Sequence, residues 1–321
     1  MVSQIKRAAI LLAVLVVTAA SPSWAQQKGQ YVPGQSGLNA GVLPNPGFTY
    51  ASMELNYRAK SLRDENGDSL PVNGTYEFWV IENFFFYVPT PKVAGAKLVI
   101  MAIVPAANGS LTLPRFDVSG TTGYAMSDTW VQPATLGWHY DRADVNAGYA
   151  FVVPSGRYTP GSTDNVGSGY WGNHINGATT AYLTKNKGTT ANVFGDWEIH
   201  SRRKGTDITP GQAFTMEWGL GQAIPLDSNE HKLLQFGIIG YDQWQVSDNG
   251  GTFAGGLPAS LTPRYSVHAI GFQGDFLMPA KGLSLYGKFE PEYQAEARPK
   301  GRTIVFGGSY TLPVLKGSAT P

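Results

Sequence analysis

The residues best suited to chemistry are three ionisable side chains at alternate positions of one segment, Asp196, Glu198 and His200. Carboxylates and imidazoles bind metal ions and exchange protons, so this pattern could form a metal site or an acid/base site. Alternate residues of a β-strand share a face but lie roughly 7 Å apart, so three of them do not converge on one ion unaided. The spacing therefore favours the polar lining of a water-filled space, and we expect no bound metal and no cofactor.

Other segments carry polar stripes with the same two-residue spacing. Several charged stripes on one side of a sheet are what the interior of a membrane barrel requires, although the same residues could also bind a substrate. The isolated histidines His174 and His268 are expected at such a lining or its rim rather than as ligands. The residues that we predict to line the interior and any substrate path are Glu54, Arg58, His139, Asn146, Asp196, Glu198, His200, Glu217, Lys288, Glu290 and Glu292.

Aromatic residues are concentrated in a few segments of the chain. Two interpretations are open: rings that face lipid and form the girdles of a membrane barrel, which we prefer, and a track for aromatic solutes. The residues concerned are Phe84, Phe85, Phe86, Tyr87, Trp130, Trp138, Tyr140, Tyr170 and Trp171.

Several motifs of common enzymes are absent from the sequence, including the G-x-S-x-G elbow, the phosphate-binding P-loop and the H-E-x-x-H zinc site. A hydrolase would need a serine hydrogen-bonded to a histidine base. Ser201 and His200 are neighbours on one strand and face opposite sides, whereas Ser168 or Ser266 could meet His174 in space. We expect no enzyme, and a hydrolase acting on lipids is kept as the alternative.

The elements that position these residues are clearest in a hairpin between residues 128 and 158. Its second arm alternates strictly between an apolar and a small or polar face, its first arm repeats the pattern, and only Asp141 and Arg142 separate them. Each arm has about 11–13 residues, against about 5–6 in a common strand, which is enough to span a bilayer when tilted. The pattern places Trp130 and Leu136 on one face, and Pro133 between them predicts a bulge because it lacks a backbone N–H.

The whole chain predicts about twelve such strands, in an all-β, antiparallel, up-and-down transmembrane β-barrel. Long polar connections alternate with shorter ones, and bacterial barrels have even strand numbers, short periplasmic turns and longer external loops. The longest predicted connection is 106–127, with room for a short extra strand at 111–118. A secreted β-sandwich fits the composition nearly as well, but it has no reason to sort its loops in this way.

Composition limits the class of protein further. Charged residues make up 15% of the chain, below the roughly 25% of soluble domains, and 39 glycines with 12% aromatic residues fit tight turns and a lipid-facing surface. Because the chain has no cysteine, disulfides, thiolate metal sites and cysteine nucleophiles are excluded. A net charge of +1 argues against nucleic acid as a partner.

Four segments are predicted along the chain. A short basic stretch and an apolar run too short to span a membrane precede small residues that end at Ala25, the pattern of a secretory signal peptide. The stretch at 307–312 is similar to the C-terminal signal read by the outer-membrane assembly machinery. The segments are a signal peptide at 1–25, a flexible periplasmic lead at 26–46, the barrel at 47–312 and a short tail at 313–321.

Glycine- and aromatic-rich motifs recur over most of the mature chain. They are Gln132-Pro133, Leu136-Gly137-Trp138-His139, Ala147-Gly148, Pro154-Ser155-Gly156-Arg157-Tyr158, Pro210-Gly211, Glu217-Trp218-Gly219-Leu220-Gly221, Gly240-Tyr241, Gln245-Val246, Asp248 and Arg298-Pro299-Lys300-Gly301. Together they resemble the outer-membrane family named for the meta-cleavage pathway of phenol degradation. The resemblance implies a β-barrel and a transporter of small, often aromatic compounds, and it supplies no catalytic residues.

The leading hypothesis is a barrel of the bacterial outer membrane that transports small aromatic or hydrophobic compounds. The substrate class rests on the resemblance alone. The alternatives are an outer-membrane hydrolase acting on lipids and a structural or receptor barrel. The expected partners are outer-membrane lipid, a small-molecule solute and the outer-membrane assembly machinery.

Overall fold

The computed structural model describes residues 29–71, 74–114, 118–162, 164–229 and 231–313. The signal peptide and nearly all of the tail lie outside these residues, and both stay predictions. Two single-turn 3-10 helices occur in the described chain, at Ala259–Leu261 and Pro279–Lys281. No helix in the described ranges is long and apolar enough to cross a membrane.

Strands make up most of the described chain. They are β1 (Gly47–Leu62), β2 (Thr75–Val88), β3 (Lys97–Leu113), β4 (Val118–Met126), β5 (Thr129–Tyr140), β6 (Ala143–Val153), β7 (Gly172–Tyr182), β8 (Thr189–His200), β9 (Ala213–Pro225), β10 (Leu233–Gln245), β11 (Ser266–Met278), β12 (Leu283–Glu296) and β13 (Pro299–Pro313).

All of these strands except β4 close into a ring of twelve. Each strand of the ring is antiparallel to the next one along the chain, and β13 pairs with β1 to complete the circle. A closed ring leaves no strand edge in the lipid, where nothing could satisfy unpaired backbone N–H and C=O groups. The predicted twelve-stranded, up-and-down antiparallel barrel is confirmed.

The additional strand, β4, corrects one detail of the prediction. Lys97–Ile103 of β3 pairs with β5, whereas Ala106–Leu113 of the same strand pairs with β4. The region 106–127 is therefore the outer part of β3 and the strand β4, and not a long connection with a short strand at 111–118. Small and polar residues dominate this region, so its alternation is weak in the sequence.

Connections of two kinds lie at opposite ends of the barrel. One end carries the long connections 63–74, 154–171, 201–212 and 246–265, and the other end carries 89–96, 141–142, 183–188, 226–232 and 279–282. Bacterial barrels keep their short turns in the periplasm and their long loops outside. We therefore name the end with the long connections the outer end and the opposite end the inner end.

Pro133 produces the expected bulge. The pairing of β5 with β6 shifts register between Val131 and Ala134, so that the two faces of β5 exchange. Trp130 is buried in the interior, whereas Leu136 beyond the bulge faces outward. The prediction that Trp130 and Leu136 share a face is therefore wrong, because one extra residue reverses the alternation of a strand.

The outer surface of the barrel carries an apolar band. Exposed aliphatic and phenylalanine side chains form it, among them Ile175, Val193, Leu220, Phe236, Ile270, Phe272, Leu285 and Phe306. Exposed aromatic side chains near the two ends include Tyr87, Tyr140 and Tyr310 at the inner end and Trp171, Trp197 and Tyr293 at the outer end. Of the aromatic residues predicted to face lipid, Trp130 and Tyr170 are buried in the interior instead, and Phe84 packs against buried residues of the interior.

Candidate solute path

The interior of the barrel is occupied by residues 29–46, which precede β1 and are named here the lumen segment. Gln30 N donates a hydrogen bond to Glu198 Oε2 (2.5 Å) near the outer end, and Lys97 Nζ donates to the carbonyl oxygen of Pro44 (2.8 Å) at the inner end. The prediction of a flexible periplasmic lead is therefore wrong for these residues. A polar, glycine-rich segment has few apolar side chains of its own, and the barrel wall supplies its hydrogen bonds.

Charged side chains of the wall hold the outer half of the lumen segment. Glu217 Oε1 accepts hydrogen bonds from the Tyr31 hydroxyl (2.8 Å) and from the Gly34 N–H (2.9 Å). Lys288 Nζ donates to the carbonyl oxygens of Gly34 (2.9 Å) and Gln35 (3.0 Å).

Uncharged side chains hold the inner half of the segment. Gln273 Oε1 accepts a hydrogen bond from the Leu38 N–H (3.0 Å), and Thr180 Oγ1 accepts one from the Gly41 N–H (2.9 Å). Asn146 Nδ2 donates to the carbonyl oxygen of Gly41 (3.1 Å). Both backbone groups of Gly41 are thus satisfied by the wall, as buried backbone groups must be.

Glycines fit the segment and the wall to each other. A Cβ atom added at Gly219, Gly221 or Gly237 would lie 3.0 Å from a methyl carbon of Leu38, so these glycines leave space for that side chain. A Cβ atom at Gly41 would lie 2.4 Å from the backbone nitrogen of Thr180, closer than non-bonded atoms approach. The segment is therefore held by shape as well as by hydrogen bonds.

Most of the predicted lining residues face the lumen. His139 lies at the inner rim, with 64% of its side chain exposed and its Nδ1 2.6 Å from Asp144 Oδ1. Glu54 and Arg58 face outward, which contradicts the prediction, because on β1 apolar side chains such as Met53 turn inward instead. The predicted residues that are buried toward the lumen are Asn146, Asp196, Glu198, His200, Glu217, Lys288, Glu290 and Glu292. Their part in a solute path stays a prediction.

One side of the lumen is apolar, which the sequence pattern did not predict. Alternation divides a strand into an apolar and a polar face but does not say which face is inside. On β1 the sequence predicts the polar face inside, because the interiors of membrane barrels are commonly polar. The structure packs the opposite faces together into an apolar wall, which consists of Met53, Leu55, Tyr57, Ala59, Tyr76, Phe78, Val80, Ala107, Leu111 and Leu113.

The side of the lumen formed by β7 and β8 is polar and carries two acid–imidazole pairs. His174 Nδ1 lies 2.8 Å from Asp196 Oδ2, and His200 Nε2 lies 3.1 Å from Glu198 Oε2. All four side chains are almost fully buried. Each carboxylate of the predicted stripe thus has its own histidine, and no group of three potential metal ligands occurs in the described part of the chain.

A pocket lies between the lumen segment and strands β2 to β6. Tyr31 and Gln35 line it from the segment, and Phe78 and Trp130 line it from the barrel. Glu82 is 5% exposed, and its Oε1 accepts a hydrogen bond from Gln35 Nε2 (3.0 Å). Its Oε2 has no hydrogen-bond partner among the described residues. The pocket therefore combines an aromatic lining with one carboxylate oxygen that is available to a donor.

A second pocket lies beside the first. Both pockets are lined by Tyr31 and Val32 of the lumen segment and by Tyr76 and Phe78 of the apolar wall. The Tyr31–Val32 stretch therefore lies between two spaces along the same wall.

The serine candidates for hydrolase chemistry have other partners. Ser168 Oγ donates to Asp128 Oδ2 (2.5 Å), and Ser266 Oγ donates to Glu296 Oε2 (3.2 Å). His174 pairs with Asp196 as described above. Among the described residues, neither serine is hydrogen-bonded to His174, so the geometry does not assemble the predicted nucleophile and base.

The closed ring, the outer apolar band and the enclosed lumen define a transmembrane β-barrel of the bacterial outer membrane. Residues 59–306 match the protein family described as "Putative MetA-pathway of phenol degradation". The chain therefore belongs to this family, and the resemblance carried by its motifs is confirmed.

Solved structures of outer-membrane proteins share this fold. An outer membrane channel from Pseudomonas putida F1 matches with a TM-score of 0.70 and 15% identity, over 88% of this chain and 100% of that chain. The β domain of the Bordetella autotransporter BrkA matches with a TM-score of 0.51 and 12% identity, over 84% of this chain and 100% of that chain. No curated protein matches the chain in sequence.

Proposed function

We propose that this protein is an outer-membrane channel for small aromatic or hydrophobic compounds and that the lumen segment gates it. The observation that carries the proposal is the pocket between the lumen segment and an aromatic-lined wall. The structurally similar Pseudomonas putida protein is an outer membrane channel, and the description of the family refers to phenol degradation. Both statements concern relatives and support the proposal for this chain.

The two-sided lumen suits an amphipathic solute. The apolar wall removes part of a ring from water, which is favourable at roughly 25 cal/mol per Å² of apolar surface. Glu82 offers one carboxylate oxygen to a hydroxyl or amino hydrogen on the same molecule. A small ring with one polar group therefore fits the pocket better than a sugar, which has hydrogen-bonding groups on every side.

The attachment of the lumen segment suits a gate. It is held by hydrogen bonds with side chains such as Glu217 and Lys288 and by the packing of Tyr31 against Phe194, and it adds no strand to the closed ring. Each such bond contributes about 0.5–1.5 kcal/mol, or about 1.5–3 kcal/mol where one partner is charged. The segment can therefore leave the wall without opening the barrel, and its departure would join the two pockets beside Tyr31.

The proposed function is the passage of a solute and not catalysis, since the hydroxyls of Ser168 and Ser266 donate hydrogen bonds to carboxylates. It also includes recognition of residues 307–312 by the outer-membrane assembly machinery, because these residues form the last strand of the ring. Outer-membrane lipid is then the partner of the apolar band.

The experiment is single-channel recording in planar bilayers with the full chain and with a variant that lacks residues 29–42. The variant should conduct at least several-fold more current, and a small phenol should interrupt that current while a sugar of similar size does not. Heat-modifiable migration in gels shows that both proteins are folded barrels. If neither protein conducts, the channel proposal fails and a structural or receptor role is favoured; if the phenol and the sugar act alike, the substrate class fails.

A further inference from the structure

We infer that the lipid-facing surface near the outer end carries a binding site for the phosphate groups of lipopolysaccharide. The site is a cationic cluster formed by Arg58 and Lys60 of β1 and by Lys300 and Arg302 of β13. Lys60 and Arg302 are exposed, and the side chain of Arg58 is 41% exposed. This inference concerns the outer surface and does not depend on a path through the lumen.

The pairing of β1 with β13 places these cations together. Arg58 lies directly opposite Arg302 in the ladder, and Ser61 lies opposite Lys300 after a register shift. Tyr57 and Thr303, which flank this pair in sequence, are buried in the lumen, so Arg58 and Arg302 face outward. Like charges directly opposite each other destabilise a pair of strands. An anion bound between the two guanidinium groups removes that repulsion.

The chain itself balances only part of this charge. Arg58 Nε lies 3.7 Å from Glu77 Oε2. Lys300 Nζ donates to the carbonyl oxygen of Tyr293, which is uncharged. Neither Lys60, Lys300 nor Arg302 forms an ion pair with a carboxylate in the described ranges. The other carboxylate on this outward face of β1 is Glu54, four residues farther toward the inner end.

The height of the cluster on the barrel identifies the anion. Lys300 and Arg302 follow the outer turn at 297–298, and at about 3.3 Å per residue they lie within roughly 15 Å of it. Farther toward the inner end, Phe306 and Trp79 expose apolar rings on the same face. A phosphorylated glycolipid of the outer leaflet has its phosphates toward the outside and its acyl chains toward the centre of the membrane. The cations and the apolar rings follow one another in the same order along the barrel. Guanidinium and ammonium groups bind phosphate by charge-assisted hydrogen bonds.

The test uses the refolded full-length protein in detergent and measures its binding of lipid A by titration calorimetry. The variant is Lys60→Gln with Lys300→Gln and Arg302→Gln, and the matched control is Lys185→Gln with Lys232→Gln and Lys281→Gln at the inner end. Lipid A should bind the variant at least tenfold more weakly than the wild type, and the control should bind it as the wild type does. Lipid A without phosphates should bind all three proteins equally weakly.

Equal affinity of the wild type and the variant for lipid A would overturn the inference. Binding of inorganic pyrophosphate as tightly as lipid A would also overturn it, because the site would then recognise a soluble anion and not a lipid. Heat-modifiable migration establishes that the variants are folded. If the triple variant does not fold, Arg302→Gln alone should weaken the binding of lipid A at least threefold, and no change would count against the site.

Discussion

The hydroxyl of Tyr31 and the carboxylate of Glu217 lie 2.8 Å apart and join the lumen segment to β9. Glu217 is 2% exposed, so donors from the lumen segment satisfy it in place of water. A buried carboxylate that loses its donors is strongly destabilised. The wall therefore retains the segment, and in the proposed channel the strength of this retention would set how often the path opens.

Tyr31→Phe should open the channel more often. The change removes the hydroxyl donor to Glu217 but keeps the ring that lies between the pockets. A hydrogen bond to a charged group contributes about 1.5–3 kcal/mol, so the displaced state should become at least about tenfold more populated. Single-channel open time measures this population. Tyr310→Phe, on the outer surface, is the control, and equal open times for the two variants would contradict the role of Tyr31.

Gly41→Ala should loosen the inner half of the lumen segment without harming the barrel. The added Cβ would lie 2.4 Å from the backbone nitrogen of Thr180, so the segment must move away from β7. Hydrogen exchange at residues 37–44 should become faster, while exchange in the strands stays as in the wild type. Gly274→Ala is the control, because a Cβ there has open space around it. Unchanged exchange at 37–44 would show that the segment is held without this close fit.

Much of the fold could be predicted from local patterns in the sequence. Alternation at period two, sorted loop lengths and the missing N–H of Pro133 give the ring, its topology and the bulge in β5. These features depend on residues close together in the chain. The two acid–imidazole pairs were harder to predict, because His174 and Asp196 meet only when β7 and β8 are placed in register.

The faces of β1 and the lumen segment could not be predicted in this way. Glu54 and Met53 alternate equally well with either residue inside. Only the burial of Met53 in the apolar cluster that also contains Phe78 and Leu111 decides between them. The lumen segment binds residues far away in sequence, such as Glu217 and Lys288, and none of these contacts leaves a periodic signal. Polar contacts between residues far apart in the chain therefore cannot be predicted from local sequence patterns.

Glu82→Gln, introduced into the variant without residues 29–42, should weaken the binding of small phenols at the aromatic wall of the pocket. The oxygen atom Oε2 has no partner in the described chain and can accept the phenolic hydrogen, whereas glutamine replaces one of the two oxygen atoms with an NH2 group that accepts no hydrogen bond. We expect about a tenfold loss of affinity, measured by how often a phenol interrupts the channel current. The control is Glu77→Gln, which alters a side chain on the outward face of β2 and should leave the frequency of current interruptions by the phenol unchanged. If both variants behaved as the wild type, the pocket would not be where the solute binds.

Leu285→Arg should impair insertion into membranes. Leu285 is half exposed within the apolar band near the inner end of β12, and an arginine on the lipid face costs between about 0–1 kcal/mol near the interface and about 2–4 kcal/mol at the middle of the bilayer. The yield of heat-modifiable barrel after refolding into lipid vesicles measures the effect. Leu285→Phe keeps the site apolar and should refold as the wild type does. Equal yields from the two variants would mean that this face of β12 does not contact lipid.

The last prediction concerns ion selectivity once the lumen segment is gone. In a variant without residues 29–42, Glu217 and Glu290 should line an open path, because Tyr31 and Gly34 no longer cover them. Fixed carboxylates in a narrow channel raise the local concentration of cations, so this variant should prefer potassium to chloride. Glu217→Gln with Glu290→Gln in the same variant should reduce that preference several-fold, as measured by the reversal potential across a potassium chloride gradient. Glu54→Gln with Glu77→Gln removes two charges from the outer surface and should leave the reversal potential unchanged. If the substitutions at Glu217 and Glu290 had no effect, or if those on the outer surface had the larger effect, the ion path would not run along this wall.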